Sequence, residues 1–77
     1  MDAYAIAIDI DLYNGKYLTS FLESEDSYTE DLNQVLVFYD LENASLQCEG
    51  AEYVVGLKED ESGSFIGFEK IIVDANA

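Results

Sequence analysis

The 77-residue sequence contains no histidine, no arginine and no proline, and only three lysines. Histidine is the commonest general acid or base in enzymes and a frequent metal ligand, and arginine supplies bidentate contacts to phosphate and carboxylate groups. Paired carboxylates alone can hydrolyse glycosidic bonds, but so short a chain leaves little room for an enclosed cleft. We therefore expect a protein that is not an enzyme and that holds no cofactor and no metal ion.

Cysteine is also scarce, because Cys48 is the single thiol of the chain. One cysteine cannot form an internal disulfide, which fits a reducing compartment. No apolar run approaches the length of a membrane span, and no leader pattern opens the sequence. These features predict a cytoplasmic protein.

Acidic side chains are abundant: seventeen Asp and Glu give a net charge of -14. Self-repulsion of that size destabilises the compact state. A negative surface repels nucleic acid and anionic membranes but attracts basic protein surfaces, most of which bind nucleic acid. Because 49% of the residues are hydrophobic, we expect one globular domain over residues 1–77 and not a disordered acidic tail.

The segment over residues 4–21 has the pattern of a β-hairpin. Large apolar residues alternate with alanine or aspartate through residues 4–12, which is the period of a strand. Asn14-Gly15 favours a two-residue type I′ turn. That loop pairs Tyr13 with Lys16, and the resulting register puts Ile8, Ile10 and Leu12 on the core side and both aspartates, 9 and 11, on the opposite face.

A calcium-binding loop beginning at Asp9 is the competing interpretation of the same residues. Such a loop needs oxygen ligands at positions 1, 3, 5 and 12 and glycine at position 6. Tyr13, Asn14 and Ser20 occupy positions 5, 6 and 12. Three requirements fail, and the hairpin is favoured.

The rest of the chain predicts three further strands and one helix. Residues 22–34 are polar and acidic and indicate a loop, with one helical turn near residues 29–33 because Ser27 and Glu30 have capping-box spacing. The β-branched and aromatic residues 35–40 indicate a strand, with a helix through residues 28–41 as the alternative.

Residues 40–50 indicate a short helix between an Asp40 N-cap and a Gly50 C′ residue. Its apolar face holds Leu41, Ala44 and Cys48. Residues 52–59 and 64–74 indicate two strands joined by residues 60–63. The expected fold is α+β, a small antiparallel sheet of about five strands in the order β-β-β-α-β-β with the helix packed on it.

Carboxylates on a rigid sheet keep a fixed spacing, as phosphates do along a duplex. Neighbouring side chains on one strand face lie about 6.7 Å apart, and DNA carries one charge per strand for each 3.4 Å or so of axis. Tyr28 adds rigid contact area within an acidic loop, whereas Tyr17, Tyr39 and Tyr53 are expected to pack in the core or on the sheet. The expected partner-binding residues are Asp9, Asp11, Glu23, Glu25, Asp26, Tyr28, Glu30, Asp31, Glu59, Asp60 and Glu61.

In its length, acidity and lack of histidine and arginine, the chain resembles small phage-encoded inhibitors of host defence. These include anti-CRISPR proteins, anti-restriction DNA mimics and inhibitors of uracil-DNA glycosylase. The segment YTEDLNQVLVFYDLENA is also similar to a strand-then-helix element common in small phage and bacterial domains. The resemblance implies an inhibitor, active in the host cytoplasm, that blocks the DNA or guide-RNA site of a basic enzyme such as a Cas effector. The negative charge itself argues against direct contact with nucleic acid or membrane.

Two other classes of function fit the same composition. An acidic immunity or antitoxin protein neutralises a basic toxin and need not compete with nucleic acid. A homodimeric accessory domain associates with itself, and the apolar segment FIGFEKIIV, with residues suited to both faces of a sheet, leaves room for that.

Overall fold

The computed structural model describes residues 2–71. Its elements are β1 (Tyr4–Leu12), β2 (Lys16–Ser24), β3 (Ser27–Thr29), α1 (Leu41–Gln47), β4 (Tyr53–Glu59) and β5 (Phe65–Lys70). The strands form one antiparallel sheet in the order β3-β2-β1-β4-β5, and α1 packs against β1 and β4. The expected fold, an antiparallel sheet with one short helix in the order β-β-β-α-β-β, is confirmed. Within residues 2–71, the helix α1 falls short of a membrane span in length and apolar character.

The turn between β1 and β2 has three residues, not the expected two. Asn14 and Gly15 do adopt positive φ angles of 83° and 71°, as the sequence predicts. Leu12, however, pairs with Lys16, so the expected pairing of Tyr13 with Lys16 is wrong by one position. Such a slip moves every partner side chain to the other face of the sheet.

The slip changes what lies opposite the alanines and aspartates of β1. Ala7 is paired with Phe21, and Asp9 is paired with Thr19. Phe21 thereby joins the face that carries Ala5 and Ala7, which we call the alanine face. Small residues in β1 leave room there for a large ring, and the threonine gives the aspartate a hydrogen-bond donor.

The alanine face holds one layer of the core. Ala5 and Ala7 are fully buried in a cluster with Phe21, Val35 and Val55, and Leu32, Val37, Tyr53 and Leu57 pack around it. Segment 30–38, which supplies Leu32, Val35 and Val37, therefore covers this side of the sheet. The aspartates of β1 lie on the same face farther along the strand, so the expectation that they point to the side opposite the core is wrong.

The other side, which we call the isoleucine face, is covered only where the helix lies. Ile6 and Val54 are paired there and almost fully buried, and α1 presents its buried Ala44. Farther along β1, Ile10 and Leu12 are 40% and 44% exposed. The prediction that these two residues face the core is wrong, because a seven-residue helix reaches across only about 10 Å of the sheet.

The segment between β2 and the helix differs most from expectation. Ser27–Thr29 forms β3 in place of the expected loop and capping box. Residues 35–40 do not form a strand but make an isolated bridge, in which the Tyr4 and Phe38 backbones exchange hydrogen bonds of 2.7 and 2.8 Å. The Leu36 amide donates to the Leu22 carbonyl at 2.9 Å. The segment thus fills the gap where β1 and β2 diverge.

The helix begins as predicted and ends early. The Asp40 side chain accepts from the Glu42 amide at 3.0 Å, which confirms the N-cap. Residues 41, 44 and 48 are half-buried or buried, as the apolar spacing predicts. The helix stops at Gln47, with Cys48 as its C-cap, so Gly50 is not the C′ residue and instead adopts positive φ in the following turn.

The second hairpin also follows the sequence pattern. The β4 and β5 strands are joined by the turn at residues 60–64. The strand expected over residues 64–74 is described to Lys70, and residues 72–74 lie outside the described part of the chain.

Two isoleucines on one strand test which part of the isoleucine face belongs to the core. We expect Ile6→Ala to lower the free energy of unfolding by about 3 kcal/mol, because it leaves a cavity at a fully buried position. Ile10→Ala, on the same face but 40% exposed, should cost about 1 kcal/mol or less. Urea unfolding followed by circular dichroism measures both values. Equal losses would contradict this register and this position of the helix.

Candidate acidic interaction surface

The directions of the strands separate the predicted contact residues into groups. The β1–β2 turn lies at one end of the sheet, while the β2–β3 and β4–β5 turns lie at the other, which we call the base. Along the base, the β2–β3 turn and the β4–β5 turn are separated by the intervening strands and by residues 36–38, which lie between β1 and β2. At the usual strand spacing, the distance between the two turns is about 20 Å. The acidic residues expected to bind a partner therefore do not form a single cluster.

Beyond the body of the sheet, β1 and β2 continue as a two-stranded ribbon. β4 reaches β1 only as far as Ala7, and β3 reaches β2 only from Phe21 onward. Residues 8–12 and 16–20 therefore pair with each other alone. Five residues of strand extend about 17 Å, and both outer edges of this ribbon are open within the described part of the chain.

The two faces of the ribbon differ in chemistry. On the isoleucine face lie Ile8, Ile10, Leu12 and Leu18, and on the alanine face lie Asp9, Asp11, Tyr17 and Thr19. Tyr13 at the turn is 95% exposed. The expectation that Tyr17 and Tyr39 pack against the sheet is wrong, since both are about two-thirds exposed, whereas Tyr53 is half-buried as expected.

Asp9 is the most extensively bonded carboxylate of the ribbon. Its Oδ1 atom accepts hydrogen bonds from the Tyr53 hydroxyl at 2.7 Å and the Thr19 hydroxyl at 2.9 Å. The tyrosine bond, followed by the threonine bond, lowers the pKa of Asp9, and Lys70 contributes a smaller effect. The Lys70 ammonium also lies 4.6 Å from the centre of the Tyr53 ring. Asp9 thus ties the ribbon to β4, while the Asp11 carboxylate accepts no hydrogen bond from residues 2–71.

Asp60 organises the β4–β5 turn. Its Oδ1 atom accepts from the Ser62 amide at 2.9 Å, the Ser62 hydroxyl at 2.7 Å and the Ser64 amide at 3.0 Å. The bond from the Ser62 hydroxyl is the main cause that lowers the pKa of Asp60. Its neighbours Glu59 and Glu61 are exposed and take no part in these bonds.

The acidic segment around β3 contains side chains that are hydrogen-bonded within the fold and side chains that are not. The Asp31 carboxylate accepts from the Asn33 amide at 2.9 Å, and the Asn33 side chain in turn bonds the Phe65 backbone through both of its polar atoms. The Tyr28 hydroxyl, on a side chain 42% exposed as the sequence predicts, donates to Glu52. That bond is the main cause that raises the pKa of Tyr28.

The predicted contact residues therefore have two structural roles. Four of them have side chains bonded within the fold: Asp9, Tyr28, Asp31 and Asp60. The others take no part in a side-chain hydrogen bond within residues 2–71: Asp11, Glu23, Glu25, Asp26, Glu30, Glu59 and Glu61. Among the second group only Glu23 is half-buried, so the remaining carboxylates are free to meet cations of a partner.

A cleft at the base contains functional candidates that the sequence does not reveal. It lies between the β2–β3 turn, segment 36–38 and the chain after α1, with a volume of about 360 Å³. Glu49 and Glu52 line it, and neither belongs to the predicted set. Local sequence carries no signal for them, because only the path of the chain after the helix brings them beside Glu25 and Asp26.

Neither metal binding nor thiol chemistry is supported by the described residues. Within residues 2–71, no three His, Cys, Asp or Glu side chains are placed to hold one metal ion. Cys48 is half-buried, its Sγ lies 3.5 Å from the Ala44 carbonyl oxygen, and burial raises the pKa of its thiol. A raised pKa keeps the sulfur in the poorly nucleophilic thiol form.

Comparison with known proteins does not assign the chain to a family or a function. No family model, no curated protein and no solved structure matches the chain. The function must therefore be inferred from the charge and geometry of the surface itself.

The hydrogen bonds of Asp60 predict a specific pH dependence of stability. A carboxylate whose pKa is lowered by folding stabilises the protein above its unfolded pKa, and this contribution is lost as the pH falls through the folded value. Because the pKa of Asp60 is lowered from 3.8, we expect Asp60→Ala to be less stable than the parent at pH 7, with the difference shrinking below pH 3.8 or so.

The matched control is Glu61→Ala, which removes the same charge from the same turn without removing a hydrogen bond. Urea midpoints for the three proteins between pH 7 and pH 2.5 or so provide the measurement. A pH-independent gap for Asp60→Ala, or the same shrinking gap for both variants, would show that the hydrogen bonds of Asp60 do not stabilise the turn.

Proposed function

We propose that this protein is a non-enzymatic inhibitor whose carboxylate surface binds and blocks a basic nucleic-acid-binding site of a partner enzyme. One observation supports it above the others. Every Asp and Glu in residues 2–71 is exposed except the half-buried Glu23 and Glu52, and the whole chain has only three lysines to offset them. A domain of this size exposes that much charge at a cost in stability, and a basic partner would recover the cost on binding.

The division of carboxylates into two roles supports inhibition by a rigid surface. The bonded residues, such as Asp9 and Asp60, hold the ribbon and the base turn in shape. The unbonded residues then present charge from a backbone that is already ordered, so the main conformational entropy lost on binding is that of their side-chain rotamers. Complementary charge also speeds the encounter with a basic site, as it does for nucleic acid.

The proposed partner is a basic nucleic-acid enzyme such as a Cas effector, and the proposed location is the cytoplasm. The negative surface argues against direct binding of nucleic acid or anionic membrane. The single cysteine, Cys48, is compatible with a reducing compartment. In this proposal the protein catalyses no reaction and inhibits only by occupying the basic site of its partner.

Affinity capture with a competition arm tests the proposal. The chain is immobilised in a cell lysate at low salt, and bound proteins are eluted by a salt gradient with or without duplex DNA or RNA. We expect a basic nucleic-acid enzyme that salt and nucleic acid both displace. Fluorescence anisotropy should then show that the free chain competes with labelled nucleic acid for the purified enzyme. A partner that nucleic acid does not displace would contradict mimicry and favour an immunity or antitoxin protein.

Two matched double variants locate the contact. Glu25→Lys with Asp26→Lys and Glu59→Lys with Glu61→Lys change the net charge equally, at different base turns. We expect the first to weaken partner binding about tenfold, the effect of losing two exposed charge pairs, and the second to weaken it less. Asp31 is left unchanged because its carboxylate bonds the Asn33 amide. Equal losses would show that net charge steers association without a localised contact.

Self-association is the second candidate function, and the ribbon is the observation that favours it. Two open strand edges and an apolar face with Ile10 and Leu12 exposed could pair with a second copy. Light scattering of the purified chain at low and high salt separates the two candidates. A stable dimer that forms at all salt concentrations and captures no basic protein would support the homodimeric accessory domain.

A further inference from the structure

The base cleft combines an apolar floor with an acidic rim. Leu22, Leu36 and Phe38 form the floor. The first is buried, the second is 39% exposed and the third is half-buried, so apolar surface remains accessible from solvent. Because segment 36–38 is inserted where β1 and β2 diverge, the floor is held by backbone hydrogen bonds and not by side chains alone.

The rim carries four carboxylates and no lysine. Glu25, Asp26, Glu49 and Glu52 line the opening together with Gln47. The Glu52 carboxylate is held in place, since one oxygen accepts from the Tyr28 hydroxyl and the other accepts from the Glu49 amide at 2.8 Å. The Glu52 carboxylate therefore places a negative charge at a fixed position in one wall of the cleft. Each of its two oxygens keeps a lone pair that can accept a hydrogen bond from another donor.

The charge of Glu52 also acts on two neighbouring side chains. The charge of Glu52 contributes to raising the pKa of Tyr28, after the hydrogen bond and burial, and it contributes to raising the pKa of Cys48, after burial. Both groups resist taking on negative charge, as expected where the local potential is already negative. A cation near the rim is favoured by the same potential.

We propose that the base cleft receives one arginine side chain of the basic partner, with its aliphatic stem on Leu36 and Phe38 and its guanidinium among the four carboxylates. This inference rests on the proposed function for the existence of a basic partner. A cleft of about 360 Å³ is at the small end of ligand sites, which suits a single side chain.

Arginine fits the cleft better than lysine for two physical reasons. A guanidinium is more weakly hydrated than an ammonium, so less is lost when it enters a partly apolar site. Its planar fork of five donors can bond two carboxylates at once and can stack on an aromatic ring such as Phe38. Arginine is also among the residues that dominate binding energy at protein interfaces.

The test uses the isolated chain and small probes. ¹⁵N-labelled protein is titrated with N-acetyl-arginine methylamide, and in separate arms with the lysine and glutamine analogues, at constant ionic strength. We expect saturable amide shifts for the arginine probe that concentrate at residues 22–26, 36–38 and 47–52. The lysine probe should bind more weakly at the same residues, and the neutral glutamine probe should produce no saturable shift.

Variants separate the cleft from the general negative field. Asp26→Asn with Glu49→Gln should weaken arginine-probe binding about fivefold, the effect of one lost charge pair or more, and Leu36→Ser should weaken it without changing charge. Glu59→Gln with Glu61→Gln removes the same charge from the other base turn and should leave the affinity within about twofold. Glu52 is kept in every variant because it bonds Tyr28 and the Glu49 amide.

Shifts spread over all exposed carboxylates, or an equal loss in both double variants, would overturn the cleft as a site. Equal affinity for the arginine and lysine probes would overturn the assignment of arginine. The titration contains no partner enzyme, so a negative result leaves the capture experiment standing. Conversely, failure to capture a basic enzyme would refute the proposed function without changing what the titration shows about the cleft.

Discussion

Burial of two alanines in the central strand is the constraint on which the rest of the structure depends. Ala5 and Ala7 have no exposed surface, and they share a buried cluster with Val35 of segment 30–38. Larger side chains at these positions would push that segment away from the sheet. The links that it makes, through Phe38 to Tyr4 and through Asn33 to Phe65, could then not form together, and the base of the molecule would lose its shape.

The acidic surface adds a second constraint, because the charge that defines it also opposes folding. The structure offsets part of that repulsion by giving selected carboxylates donors from hydroxyl and amide groups. Asp9, Asp40 and Asp60 each accept such bonds, at the ribbon, the helix N-terminus and the β4–β5 turn. The hydrogen bonds of these residues fix the local backbone from which the unbonded carboxylates project. Stability and presentation of charge are therefore assigned to different acidic residues.

The ribbon and the base cleft lie at opposite ends of a molecule whose extents are 37 × 34 × 21 Å. The ribbon offers open strand edges and exposed apolar side chains, whereas the cleft offers a half-enclosed acidic opening. A partner that used both would have to follow the length of the sheet. A partner that used one would leave the other free, so the two surfaces can be tested independently.

Elements whose signals are local can be predicted from the amino-acid sequence. Alternation through residues 4–12, the positive φ of Asn14-Gly15 and the capping side chain of Asp40 each depend on near neighbours in the chain. The composition also determined that most carboxylates are exposed, because so many charges cannot be buried. Local chemistry did not determine the register of the first hairpin, since turns of two and three residues both accommodate Asn-Gly and only the packing of Phe21 against Ala7 selects between them.

Which apolar residues are buried and which acidic residues meet depends on contacts between distant segments. Residues 35–40 have the composition of a strand, yet they are used to cover Ala5 and Ala7 and to fill the gap beside β1, and β3 forms instead from Ser27–Thr29. Ile10 and Leu12 continue the apolar pattern of β1 but remain exposed because α1 is too short to reach them. Glu52 joins Tyr28 and the β2–β3 turn only through the path of the chain after the helix. Burial and proximity depend on what covers each surface, and contacts between distant segments provide that cover.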